Sequence, residues 1–251
     1  MSDSDGNDDV LVIGAGIAGI EASLRLAQAG RKVHLVEEKP CFGGSVIRFE
    51  DIYPNMDCAT CMIAPMQQEL LQNASIDLLT LARVKKVSGK GGAFKVKVHQ
   101  DARYVSGETC IGCGMCFEAC PVKLDNEFEE GMSQRSAIYI PAAGALPNVP
   151  CIDTDACIRF QGKECNVCLE ACMFEAILMD DEDKDLDLDV DAIVVATGYS
   201  LMDMGPLKRY GYGKVPGVYS AVEFERLYAS NGQTEGELQM ADVIVPSRVV
   251  M

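Results

Sequence analysis

The sequence predicts an α/β sheet domain interrupted by a smaller α+β segment built around cysteines. Three observations lead there. DVLVIGAGIAGIEASLRLAQAG joins a buried apolar run to an amphipathic helix through a glycine turn. CIGCGMCFEACP spaces four cysteines by two, two and three residues. DLDLDVDAIVVATG then resumes strand-like patterning after the cysteines end.

Taken in order, Asp9 to Gly16 read as a buried strand that ends in the glycine turn. Ile17, Ile20, Leu24 and Ala27 recur at helical spacing, and Gly30 stands where a helix C-terminal glycine belongs. KVHLVEE is the second strand, so residues 9–38 form a βαβ-type start. After a loop rich in Pro, Gly and Cys, PMQQELLQN predicts a short helix. LLTLARVKKVSG and AFKVKVHQ follow; the second alternates Phe94, Val96 and Val98 with lysines, as a half-exposed antiparallel strand does. DLDLDVDAIVVATG alternates in its first half. Its second half is a continuous apolar run of the kind found in buried parallel strands. The division that results is an acidic disordered tail (1–8), a first part of the sheet domain (9–105), an inserted cysteine domain (106–180), and a return strand with a C-terminal extension (181–251).

A formal charge of −16 argues against nucleic acid as a partner, because phosphate binding needs clustered Lys and Arg. No apolar run approaches the ~18 residues of a membrane span. The opening MSDSDGNDD is acidic and polar, the opposite of a secretory or mitochondrial leader. Twelve cysteines in such a chain point to a reducing compartment, the cytoplasm, and to metal ligation instead of a disulfide framework.

Gly14, Gly16 and Gly19 form G-x-G-x-x-G directly after a strand and at the opening of a helix, with Ile17 and Ala18 between the last two. The first glycine permits the tight turn, and the second lets backbone amides approach a pyrophosphate. The third allows close helix–sheet packing, and the helix N-terminus favours the anion. Glu37, followed by Glu38, closes the second strand where a carboxylate can accept ribose hydroxyls. Together these predict a Rossmann-like dinucleotide site. Gly43 and Gly44 look like the second glycine signature of flavoproteins of the two-dinucleotide-binding-domain type. Ala196, Thr197 and Gly198 resemble the Ala-Thr-Gly segment that approaches the flavin nucleotide in those proteins. Val84 falls in the strand that faces the adenine there. The resemblance implies FAD over NAD.

Cys110, Cys113, Cys116 and Cys120, followed by Pro121, match the bacterial ferredoxin run C-x2-C-x2-C-x3-C-P. Short gaps wrap the backbone around one corner of a cubane, and the fourth thiolate ligates a neighbouring cluster. A second set, Cys157, Cys165, Cys168 and Cys172, keeps the last two gaps but expands the first, and Met173 replaces the proline. Crossed ligation then expects one [4Fe-4S] cluster on Cys110, Cys113, Cys116 and Cys172. The other would sit on Cys157, Cys165, Cys168 and Cys120. Zinc sites use two separated ligand pairs, so doubled four-cysteine runs disfavour zinc.

Four cysteines remain. Cys58 and Cys61 in MDCATC form C-x2-C, for which three readings stand: a redox-active pair, part of a third cluster, or buried thiols packing beside the cofactor. Cys41 stands beside the glycine pair with its role left open, and Cys151 reads as structural. His34 reads as a core residue and His99 as a surface residue at a strand end. No nucleophile triad can be assembled.

GAGIAG, YPNMDCATCMIAP, CIGCGMCFEACPV, NEFEEGMSQRSAIYIPAAGALPNV, DAIVVATGYSLMD and YGYGKVPGVYSAVEFERL together resemble the A-subunit family of heterodisulfide reductases over roughly residues 8–236. The likeness implies the flavin half of that family, interrupted by a ferredoxin-like two-cluster insertion. It implies an oxidoreductase component that passes electrons between FAD and two [4Fe-4S] clusters within an anaerobic complex. Other members of such a complex, ferredoxin or a hydrogenase are the implied partners. The alternative is a ferredoxin-like relay or assembly protein whose Rossmann scaffold binds no flavin. Members of this flavoprotein type continue into a second dinucleotide domain and a Gly-Asp turn, and neither occurs in this sequence. The flavin pocket is therefore expected to be completed by a partner or a second copy, or else to be a shortened form with altered flavin binding.

Overall fold

A computed structural model describes residues 8–206, 208–238, 246 and 248–250. The tail expected at 1–8 falls outside these residues except for Asp8, which pairs with Arg31. Strand β1 (Val10–Ile13), helix α1 (Ile17–Gln28) and strand β2 (Val33–Val36) form the opening unit. A short hairpin of β3 (Asp51–Ile52) and β4 (Asp57–Cys58) leads into α2 (Ala59–Gln72) and β5 (Ile76–Leu79). β6 (Ala82–Lys90) and β7 (Ala93–Gln100) follow. The cysteine segment contains α3 (Met115–Ala119), β8 (Lys123–Asp125), β9 (Gln134–Ser136), β10 (Ile138–Tyr139), β11 (Cys151–Ile152) and α4 (Val167–Ala171). β12 (Lys184–Val190), β13 (Ala192–Val195) and α5 (Ala221–Tyr228) close the order.

A parallel sheet of order β13-β1-β2-β5 carries the first core. Val12, Val33 and Leu35 are fully buried beneath α1 and α2, and Leu11, on the opposite face, is fully buried against the second sheet. On α1, Ile20 and Leu24 face this core, each contributing about 1.5–3 kcal/mol by burial. Gly30, at φ +82°, ends the helix as expected. Ile17 departs from the predicted apolar face: it is exposed at the helix's first position, against the glycine turn. β13 also departs from expectation. It is parallel but lies at the sheet edge, which leaves Val195 69% exposed.

The second sheet, order β12-β7-β6, is antiparallel. Val96 and Val98 are buried against Leu11, Val36 and Val190, while Lys95 and Lys97 face solvent and pair with Asp189 and Asp187. Gln100 lies opposite Lys184 in the register. Residues 101–183 therefore leave and return at one point of this sheet.

The helix predicted at PMQQELLQN begins six residues earlier, at Ala59. Pro65, which suggests a start by sequence, sits inside α2, and Cys58 caps it instead. α5 carries a complete capping box, Ser220 with Glu223. It is anchored by Arg226, which is fully buried and forked onto Glu129 of the cysteine segment (Nη2–Oε1 2.8 Å, Nε–Oε2 3.1 Å). Arg226 also donates to the Arg48 carbonyl at 2.9 Å. Removing one partner strands a buried charge. Arg226→Ala is therefore expected to cost about 3–5 kcal/mol in chemical denaturation, whereas replacing both Arg226 and Glu129 with Met should cost far less. No helix among the described residues is long and apolar enough to cross a membrane.

Candidate functional site

The glycine signatures converge on one turn. Gly14, at φ +97°, donates to the Val36 carbonyl at 2.8 Å, and a Cβ there would lie 2.4 Å from the Ala196 oxygen. A Cβ on Gly19 would lie 1.8 Å from the Gly14 oxygen, so helix and turn meet only because both residues lack side chains. Gly43 donates to the Ala15 carbonyl at 2.8 Å, and a Cβ on Gly44 would lie 2.7 Å from the Gly16 Cα. Gly14, Gly16, Gly19, Gly43, Gly44, Ala196 and Thr197 are thus brought together; Gly198 follows at φ +72° with open space around it. Ile17 and Ala18 are exposed at the start of α1.

Glu37 turns back onto the glycine turn. Its Oε2 accepts from the Ala15 amide at 2.8 Å and its Oε1 from the Lys39 amide at 3.0 Å. Each oxygen keeps a lone pair for a hydroxyl donor, which suits a ribose diol. Glu38 is exposed, and Val84 lies half-buried on β6 beside the register shift to Lys86. A bare, backbone-lined turn with a carboxylate at the strand end fits a dinucleotide.

Eight cysteines line two hollows. Cys110, Cys113, Cys116 and Cys172 surround one, with Val105 and Ile177. Cys120, Cys157, Cys165 and Cys168 surround the other, with Ile138 and Ile152. α3 and α4, one bearing Cys116 and the other Cys168, turn these thiols inward, and Gly114 in the left-handed region starts α3. Burial, then the nearby Cys110, pushes the Cys116 thiol up to about 12, and Cys172 adds to the rise. Burial, then Cys157, raises Cys168 to about 11, with Cys120 and Cys165 contributing. Amides already point at sulfur: Gly112 toward Cys110 and Ala176 toward Cys172, each at 3.4 Å. Four crowded thiols per hollow fit a cationic iron core, whose ligation releases the thiol protons.

Other side chains at the junction gave no sequence signal. Arg103 donates to the carbonyls of Pro40 and Val149 (both 2.8 Å) and to Thr80 Oγ1 (2.7 Å), tying the loop after β2 to the cysteine segment. A cavity beside the turn is lined by Glu37, Gly44 and Arg48 from one part and Asn126, Phe128 and Tyr139 from the other. The Arg48 Nε is buried there with no hydrogen-bond partner among the described residues. Cys41 and Cys151 are both buried; burial, then Glu37, raises Cys41 to about 11.

Cys58 and Cys61 are exposed and joined in a disulfide, which rules out the buried-thiol reading. His34 is largely buried between Asp9 and Asp77. His99 is more enclosed than expected, ringed by Asp101, Asp183 and Asp185.

Fold and site together define a chain of the flavin-linked iron–sulfur oxidoreductase class. The family model for FAD dependent oxidoreductases matches residues 9–49, and the model for the 4Fe-4S binding domain matches residues 103–123. The A-subunit of the H(2):CoB-CoM heterodisulfide,ferredoxin reductase of Methanothermobacter marburgensis is 39% identical over 97% of this chain and 36% of its own length. The iron-sulfur A-subunit 1 of the CoB--CoM heterodisulfide reductase of Methanopyrus kandleri is 42% identical over the same shares. The A-subunit of the ferredoxin:CoB-CoM heterodisulfide reductase of Methanosarcina mazei is 37% identical over 95% of this chain and 29% of its own. The chain is similar over nearly its whole length to these A-subunits of heterodisulfide reductases and spans about a third of their length.

Proposed function

We propose that the chain is an electron-transfer unit holding FAD at the glycine turn and two [4Fe-4S] clusters in the cysteine hollows. Residues 106–180 are taken as a ferredoxin-like insertion in a Rossmann-like flavin domain. Cys110, Cys113, Cys116 and Cys172 hold one cluster; Cys120, Cys157, Cys165 and Cys168 hold the other. The observation that carries this reading is the exchange of Cys120 and Cys172 between hollows, which follows the ferredoxin pattern and not sequence order. Bound flavin exchanges electrons singly or in pairs and each cubane exchanges one, so the pair of centres converts between two-electron and one-electron chemistry.

The chain's own residues prepare this. Gly14, Gly16 and Gly44 present backbone to the pyrophosphate, Glu37 accepts from the ribose, and Ala196 to Gly198 close the turn. Val105, Ile138 and Ile177 pack with the buried Cys116 and Cys168 and exclude water from that side of the hollows, which tunes the clusters through their surroundings. Arg103 holds the two parts in fixed register. By likeness to relatives named for heterodisulfide and ferredoxin, the partners are the other components of a cytoplasmic heterodisulfide reductase-like complex, with ferredoxin or a hydrogenase as a further electron-transfer partner.

Stepwise anaerobic reduction with visible spectroscopy tests the reading. Bleaching of resolved flavin bands together with the broad cluster absorption is expected. Cluster bleaching alone, with no flavin released by acid, would favour the ferredoxin-like relay with an empty Rossmann scaffold.

A further inference from the structure

Arg48 joins three parts of the chain and keeps one donor unused. It ends the short 3-10 helix Gly44–Arg48, which begins at the glycine packed on Gly16. Its side chain is only 13% exposed and crosses to the cysteine segment. There Nη2 donates to the Phe128 carbonyl at 2.8 Å and pairs with Glu130, and the guanidinium lies 5.6 Å from the Phe128 ring centroid. The Arg48 carbonyl accepts from Arg226 of α5, whose own guanidinium lies 4.9 Å from the same ring. Two cations thus hold one aromatic side chain of the loop between β8 and β9.

The Arg48 Nε–H is left over, buried and with no acceptor among the described residues. A buried donor on a charged group is costly to leave unpaired, so it marks a place for an acceptor. The cavity that Arg48 lines, of about 180 Å³, narrows the choice, because Glu37 and Gly44 line it too. Glu37 keeps lone pairs for hydroxyl donors and repels an anion, whereas Arg48 attracts one. A ligand with a hydroxyl pair at one end and phosphate a few bonds away satisfies both, which describes the ribose-diphosphate portion of a dinucleotide. Asn126, Phe128 and Tyr139 wall this cavity from the cysteine segment.

We propose that Arg48 binds the diphosphate of the dinucleotide, and that the same guanidinium couples dinucleotide binding to the seating of the 126–130 loop. The proposal rests on the flavin reading and goes beyond it: the glycine turn offers only backbone to the diphosphate and gives the cysteine segment no part in binding. Nη2 holds the loop, and Nε is left for the ligand. Fixing the guanidinium on one side orders it for the other, so occupancy and loop seating favour each other by the same factor.

Displacement of bound FAD, followed by recovery of flavin fluorescence in the full chain with its iron in place, tests the contact. The competitors are ADP and adenosine, which differ only by the diphosphate. ADP should bind the wild-type chain more tightly than adenosine. Arg48→Gln should cut that preference by about tenfold or more, the worth of a hydrogen bond to a charged group. A role confined to holding the loop would weaken both competitors alike and leave their ratio unchanged. Iron content reports folding, and if Arg48→Gln loses iron, Arg48→Met takes its place with the same expectation. Hydrogen exchange over residues 126–133, between β8 and β9, tests the coupling. Saturating FAD should slow exchange there in the wild-type chain and leave it unchanged in the saturated variant. An unchanged ADP-to-adenosine ratio in the variant overturns the contact, as does a wild-type chain that takes up FAD without preferring ADP. Equal protection of the loop in both chains overturns the coupling. A wild-type chain that takes up no FAD overturns the flavin reading itself, and this proposal with it.

Discussion

Cys120→Ser is expected to empty one cysteine hollow and spare the other, although Cys120 is the sequence neighbour of the cysteines that it spares. It lies with Cys157, Cys165 and Cys168, whereas Cys110, Cys113 and Cys116 surround the other hollow with Cys172. A serine oxygen replaces a soft thiolate poorly on iron, so the cluster that loses it becomes labile. About half the iron should be lost, and electron paramagnetic resonance of the reduced protein should simplify to one centre. Cys172→Ser is the reciprocal case and should remove the cluster nearest Cys116. Between them the two variants exclude a trivial outcome. Both hollows share one apolar core through Ile138, Ile152 and Ile177, so a collapsed fold would abolish both signals in either variant. Crossed ligation instead demands opposite losses. If Cys120→Ser spared the cluster at Cys168 and destroyed that at Cys116, the assignment would be wrong.

Gly19→Ala is expected to abolish flavin binding and to weaken the sheet domain. The added methyl would sit 1.8 Å from the Gly14 carbonyl oxygen, a backbone atom that Gly14 and its neighbours hold in place. α1 would have to lift away from the turn, which moves the very amides proposed to face a pyrophosphate. Overpacking of this kind costs about 1–3 kcal/mol, and backbone contact puts this site at the upper end or beyond. Gly30→Ala is the control: nothing lies within 4 Å of the new methyl, and only the left-handed φ of +82° is penalised, by about 1–2 kcal/mol. Flavin released by acid should fall toward zero for Gly19→Ala and stay near the wild-type ratio for Gly30→Ala. Equal flavin in both would mean that the turn is not the binding site.

These two sites were legible because their chemistry forces local spacing. Close approach of backbone to backbone permits only glycine, and Gly14, Gly16 and Gly19 stand at the intervals set by one strand, one turn and one helix. Wrapping thiols around a cubane likewise fixes short gaps. Side chains that join distant segments follow no such period. Arg226 meets Glu129 across a separation of 97 residues, and Arg103 reaches Pro40, Thr80 and Val149 from three different loops. The start of α2 was obscured because Pro65 reads as a helix opening, while the actual cap is a cysteine, not one of the usual Ser, Thr, Asp or Asn residues. An apolar strand reads as central, yet β13 is an edge; apolar content reports what could be covered, not what covers it.

Elemental and cofactor analysis of the anaerobically prepared chain tests the central reading most directly. About eight irons, about eight acid-labile sulfides and about one FAD per chain are expected from two cubanes and one flavin. Zinc in place of iron, or a preparation free of sulfide, would contradict it.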